Sequence, residues 1–137
     1  MASTNLEGGC LCGALRYRLN GKRIDAGYCH CRLCQRSSGA PVMAWATFAA
    51  ADFSYTQGTP AVYRSSANGL REFCPVCGTQ LIFRRPSETT VDVTMASLDE
   101  ATAIAPEYHI WTASRIAWFD TLDDLPRHAD AGPDESV

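Results

Sequence analysis

Residues 14–19, "ALRYRL", set Leu15, Tyr17 and Leu19 against Arg16 and Arg18. Successive side chains of an extended backbone point to opposite faces, so this alternation predicts a half-buried strand. "TTVDVTM" (89–95) repeats the pattern, with Val91, Val93 and Met95 inward. "PVMAWATF" (41–48) is an apolar run bounded by Gly39 and Asp52, and "TQLIFRR" (79–85) suits another strand. "AVYRSS" (61–66) and "LREF" (70–73) flank Asn68-Gly69, a pair that favours the tight turn of a hairpin. "HIWTASRIAWF" (109–119) predicts one bent strand or two. Helix signals are short: "CRLCQRSS" (31–38) and "DEATAI" (99–104) each suit a single turn. The chain therefore reads as mainly β, antiparallel sheets with little helix.

The pattern shows no repeat beyond a recurring Cys-x-Cys, and no linker divides it. Residues 1–126 read as a single domain, and 137 residues suffice to bury a core without staples. The tail 127–137, "RHADAGPDESV", is polar and acidic with Gly and Pro, and is expected to be disordered.

Charge narrows the function classes. The formal net charge is −3 and the pI about 5.5, which argues against nucleic acid as a partner. No run of 18 apolar residues predicts a membrane helix. "MASTNLEGG" lacks the basic start and apolar centre of a signal peptide, so a cytoplasmic location is expected. Seven cysteines are then poor candidates for disulfides, since the cytosol keeps thiols reduced and an odd count cannot pair completely. Metal binding fits better.

The cysteines fall into three groups: "GGCLCG" (Cys10, Cys12), "YCHCRLC" (Cys29, Cys31, Cys34) and "FCPVCGT" (Cys74, Cys77). The last resembles a zinc knuckle, in which one tight turn offers both sulfurs and Gly78 permits left-handed backbone just after. Cys-x-Cys on a strand spaces its Cα atoms roughly 6.6 Å apart, whereas tetrahedral zinc wants sulfurs roughly 3.8 Å apart. Gly8, Gly9 and Gly13 supply the bend that closes this gap. Cys29, Cys31 and Cys34 are near enough in sequence to converge on one metal alone. The two remaining pairs complete each other, so Cys10, Cys12, Cys74 and Cys77 make a closed four-thiolate site of structural character. The three-thiolate set keeps an open fourth position, the arrangement of catalytic zinc. Two blander readings compete. The fourth ligand could be His30, His109 or His128, although His30, lying between two ligands of an extended segment, would point away. Cys31 and Cys34 could also form a metal-free redox pair.

The motifs "GGCLCGALRY", "CHCRLCQRSSGA", "YRSS" followed by "REFCPVCGTQL", "SLDE" and "PEYHIW" carry a resemblance over Gly8 to Pro126. In them the chain resembles the glutathione-dependent formaldehyde-activating (GFA) enzyme family and its relatives, such as centromere protein V-like zinc domains. It departs at Ala96-Ser97, where the family often has Gly. The resemblance implies a zinc-stabilised, β-tent-like domain with two zinc ions per chain. It implies structural zinc on Cys10, Cys12, Cys74 and Cys77, and catalytic zinc on Cys29, Cys31 and Cys34. It also implies a carbon–sulfur lyase, S-(hydroxymethyl)glutathione synthase-like, with glutathione and formaldehyde as partners.

An open position beside three thiolates suits a small thiol such as glutathione, made thiolate at neutral pH, with a small aldehyde as its electrophile. The site is then strongly anionic. Arg32 and Arg36, beside the ligands, are the first candidates to offset it, ahead of Arg64 and Arg71. His30 and His109 are acid–base candidates by type, although a structural hydrogen bond is the commoner role. Trp45, Trp111 and Trp118 suit a pocket wall or core, and Ser65 and Ser66 a polar pocket edge. The alternative class is a non-enzymatic zinc-binding interaction module with only structural metal, and a fourth protein ligand on the second group would separate the two.

Overall fold

The structure is a computed structural model that describes residues 4–133. In chain order its strands are β1 (Thr4–Gly9), β2 (Arg16–Gly21), β3 (Asp25–Cys29), β4 (Met43–Ala49), β5 (Phe53–Gln57), β6 (Ala61–Ser66), β7 (Gly69–Phe73), β8 (Gln80–Arg84), β9 (Thr90–Thr94) and β10 (His109–Ile110). One α-helix, α1 (Arg32–Ser38), joins β3 to β4. A three-stranded sheet runs β1-β2-β5, and a seven-stranded sheet runs β10-β3-β4-β9-β8-β7-β6. All pairings are antiparallel except β10 with β3. The fold is mainly β, as the alternation predicts.

The alternating positions build the core. Leu15, Tyr17 and Leu19 are fully buried, and so are Val91 and Val93. They pack with Ala46, Phe48, Leu81 and Ile82 in one cluster that also contains Cys10 and Cys74. Each large apolar side chain buried in this way stabilises the fold by about 1.5–3 kcal/mol relative to exposure. A second, smaller cluster holds Cys29, Cys34, Trp45 and Ile110, with Phe83, Tyr108 and Trp111 against it.

Three segments differ from the sequence reading. Residues 109–119 contribute only the two residues of β10, because Trp111 turns left-handed (φ 57°) and a 3-10 turn, Thr112–Ser114, follows. Residues 99–104 form no helical turn; the Ala103 N–H closes a turn on the Glu100 carbonyl at 2.9 Å. The expected disordered tail is engaged from its start. His128 N–H bonds the His109 carbonyl, while Trp111 N–H bonds that of Asp130. Backbone pairing, which composition does not reveal, holds residues 127–130; residues 134–137 lie outside the described residues.

Candidate functional site

Two hairpin turns, one from each sheet, bring four cysteines together. Cys10 and Cys12 lie between β1 and β2, and Cys74 and Cys77 between β7 and β8. Their sulfurs lie within 4.8 Å of one another. Cys10 Sγ is 3.7 Å from Cys12 Sγ, which is 3.8 Å from Cys74 Sγ. These separations match the roughly 3.8 Å that a tetrahedral zinc–thiolate site requires. Gly78 (φ 84°) and Gly13 (φ 83°) take the left-handed backbone that closes the two turns. Backbone N–H groups then point at sulfur: Leu15 donates to Cys10 at 3.2 Å, Val76 to Cys74 at 3.3 Å and Cys77 to Cys74 at 3.4 Å. Such donors favour the thiolate. The Thr79 hydroxyl beside Cys77, at 3.2 Å, pulls that thiol down to about 5.

Cys29 ends β3, Cys31 caps the N-terminus of α1 and Cys34 sits in its first turn. The Cys31 sulfur accepts from the Cys34 backbone N–H at 3.3 Å. Cys29 and Cys34 sulfurs are 3.6 Å apart, and all three lie within 4.8 Å of one another. Three thiols this close cannot ionise together without a cation. Hydrogen bonds from Cys29 and then Cys34 drive Cys31 down to about 2, while Cys29 is driven up by Cys31, by Cys34 and by burial. A soft divalent cation such as zinc fits this donor set.

Among the described residues, no histidine or carboxylate joins either group. His30 turns away from the sulfurs, and its Nε2 lies 2.9 Å from His109 Nδ1. His109 Nε2 donates in turn to Asp123 at 3.1 Å, which makes His30 Nε2 the donor to His109. Burial pushes His30 down to about 4, so it is neutral near pH 7. His128 stands edge-on to Tyr108.

Arg71 is the cation at the three-cysteine group. Its side chain is only 5% exposed, and Nη2 lies 3.7 Å from Cys34 Sγ. Nε donates to Ser65 Oγ at 3.0 Å, while Nη1 donates to Ser37 Oγ at 3.2 Å and Gln80 Oε1 at 3.1 Å. Four bonds fix the guanidinium, and its charge favours the thiolates of Cys31 and Cys34. The sequence reading ranked Arg32 and Arg36 higher for adjacency. Arg32 bonds Gln35 and lines the cavity described next, whereas Arg36 is exposed and does not. The signal for Arg71 is its inward register on a strand that ends just before Cys74, visible only once β7 and β8 pack against α1.

A cavity of about 540 Å³ opens on Cys29, Cys31 and Cys34 and on none of the other four cysteines. Trp45 and Trp111 line it, with Phe83, Tyr108, Ile110 and Leu33. Trp118 is 75% exposed and lies elsewhere. Arg32, Arg71 and Arg85 also face the cavity, as does Ser66; Ser65 acts through Arg71. Neither His30 nor His109 lines it, so the geometry gives them no acid–base part there. Trp111 is the one non-glycine residue at positive φ among the described residues, a conformation costing roughly 1–3 kcal/mol.

The family described as glutathione-dependent formaldehyde-activating enzyme (GFA) matches residues 5–114. A protein of Halomonas elongata, provisionally named a glutathione-dependent formaldehyde-activating enzyme, is 27% identical over 143 residues, spanning 96% of this chain and 91% of that one. A crystal structure of a Rhodobacter sphaeroides protein aligns with a TM-score of 0.60 at 22% identity, covering 88% of this chain and 98% of that one, and shares the fold. The matched residues contain all seven cysteines and the whole cavity wall, and the chain belongs to the GFA family.

Proposed function

We propose that this chain is a zinc-dependent carbon–sulfur lyase of the S-(hydroxymethyl)glutathione synthase type. It would act on S-hydroxyalkyl adducts of a small thiol and a small aldehyde, glutathione with formaldehyde or a related pair. The observation that carries the reading is a three-thiol group opening on a cavity, beside a four-thiol group that does not. Cys10, Cys12, Cys74 and Cys77 would hold a structural zinc, and Cys29, Cys31 and Cys34 a second. The second zinc, when bound, supplies Lewis acidity that lowers the pKa of a thiol sharing it.

In the synthetic direction the thiol loses its proton, the S–C bond forms, the carbonyl π bond opens and oxygen gains a proton. The lyase direction reverses each change. Arg71, held by Ser37, Ser65 and Gln80, offsets the thiolate charge without moving. Arg32, exposed at the cavity, suits a carboxylate of the thiol. Free thiols suit a reducing compartment, the cytoplasm, and among the described residues no helix is long and apolar enough to cross a membrane.

NMR exchange between aldehyde hydrate and thiol adduct tests the reading. Zinc-loaded protein should accelerate exchange above the uncatalysed rate, and Cys31→Ser should return it to background. Exchange at the background rate with zinc-loaded wild type would favour the binding-module reading.

A further inference from the structure

The cavity measures about 540 Å³, room for a thiol and an aldehyde-derived group together. Its wall is of the wrong kind for a wholly polar occupant. Leu33, Trp45, Phe83, Tyr108, Ile110 and Trp111 all face it. The Tyr108 hydroxyl is committed to Asp25 at 2.9 Å, which leaves its ring for the wall. The carboxylates, ammonium and amides of a tripeptide thiol gain little from such a surface, which leaves it to the aldehyde-derived group of the adduct.

Trp111 adds a separate observation. Its left-handed backbone is tied down by the Trp111 N–H to Asp130 bond at 2.8 Å and the Thr112 N–H to His128 bond at 3.0 Å. The indole is only partly buried, packs against the Cys29–Cys34 cluster and faces the cavity. A strained residue braced at a cavity wall points to a positioned contact rather than to core filling.

We propose that the adduct this site takes carries an aryl or branched-alkyl group on its aldehyde-derived carbon, seated on Leu33, Trp45 and Trp111, since the Phe83 ring is already covered by Arg71 and Arg85. The proposal rests on the lyase reading and names its substrate class: a bulky apolar aldehyde joined to an anionic thiol. Arg32 and Arg85, also at the cavity, suit the anionic half, and the aromatic wall suits the other.

Stable thioethers test this without any chemical step. The zinc-loaded full chain is titrated with 3-(benzylthio)propanoate and 3-(methylthio)propanoate, followed by tryptophan fluorescence and ligand-observed NMR. The two differ only in the apolar group, so the benzyl compound should bind roughly 10- to 100-fold tighter; a methyl compound too weak to detect sets a lower limit on that ratio. Trp111→Ala should collapse the ratio at unchanged zinc content. Leu33→Ser, at a position 47% exposed on α1, should narrow it at least about threefold without touching the core. Equal affinities, no detectable binding of either compound, or a ratio untouched by both variants would overturn the proposal. The exchange assay above separates the two readings. A benzyl preference without adduct exchange removes the lyase reading and keeps the ligand class. Exchange with no benzyl preference keeps the lyase and removes the ligand class.

Discussion

The two cysteine groups use the same donor atom in opposite settings. Cys10, Cys12, Cys74 and Cys77 come from two hairpin turns, one in each sheet, and two of them are part of the main core. Cys29, Cys31 and Cys34 come from one strand end and the helix after it, and they face a cavity. The first group is surrounded by short-range N–H donors and its own partners. The second is flanked by a fixed arginine and an aromatic wall. Ligand count and access separate holding a fold together from binding something exchangeable, and the sulfur itself does not.

The largest effect that would sharpen this contrast is expected at Cys77→Ser. Losing one of four thiolates opens the tie between the sheets, and metal binding at such sites is folding free energy. The variant should aggregate or unfold well below the wild-type melting temperature, read by circular dichroism. Cys31→Ser should instead melt within a few degrees of wild type while losing its second zinc and thiol binding, read by metal analysis and thiol titration. Equal destabilisation in both would break the contrast.

Arg71→Gln comes next. It leaves Ser37, Ser65 and Gln80 short of a donor and the thiolates without their cation. A stability loss of about 1–3 kcal/mol is expected from denaturant melts, with zinc affinity at the three-cysteine group falling roughly 10- to 100-fold in chelator competition. Arg71→Lys should recover part of the zinc affinity, because it restores charge but not the four-bond geometry. The smallest effect is expected at Arg36→Ala. This exposed side chain lies off the cavity, so stability should stay within about 0.5 kcal/mol and thiol affinity should not change. Arg32→Ala, by contrast, should weaken an anionic thiol several-fold in the same titration.

Much of this contrast was legible in the sequence, because it is local. Cys-x-Cys, Cys-x-x-Cys and their glycines fix sulfur positions over a few residues, and alternation at Leu15–Leu19 and Val91–Val93 fixes which face is buried. What was not legible depends on distant segments meeting. Arg71 reaches Cys34 only because β7 and α1 pack together, and no adjacency in sequence announces that. Residues 109–119 carry strand-like side chains, yet the backbone partners offered by residues 126–130 turn the chain at Trp111. Those partners sit in a stretch whose composition suggested disorder. The short strands β1 and β3 lack the apolar alternation that would mark them, and pairing with their neighbours defines them instead; β5 does alternate, Phe53 and Tyr55 against Ser54 and Thr56, but over too few residues to stand out.

Chelator titration of the zinc-loaded protein, with released zinc and circular dichroism read together, tests the central claim most directly. The account predicts two steps: one zinc leaves first with the fold intact and is protected by added thiol, and the second leaves only as the protein unfolds. A single step in which both zinc ions leave as the fold is lost, unaffected by thiol, would contradict it.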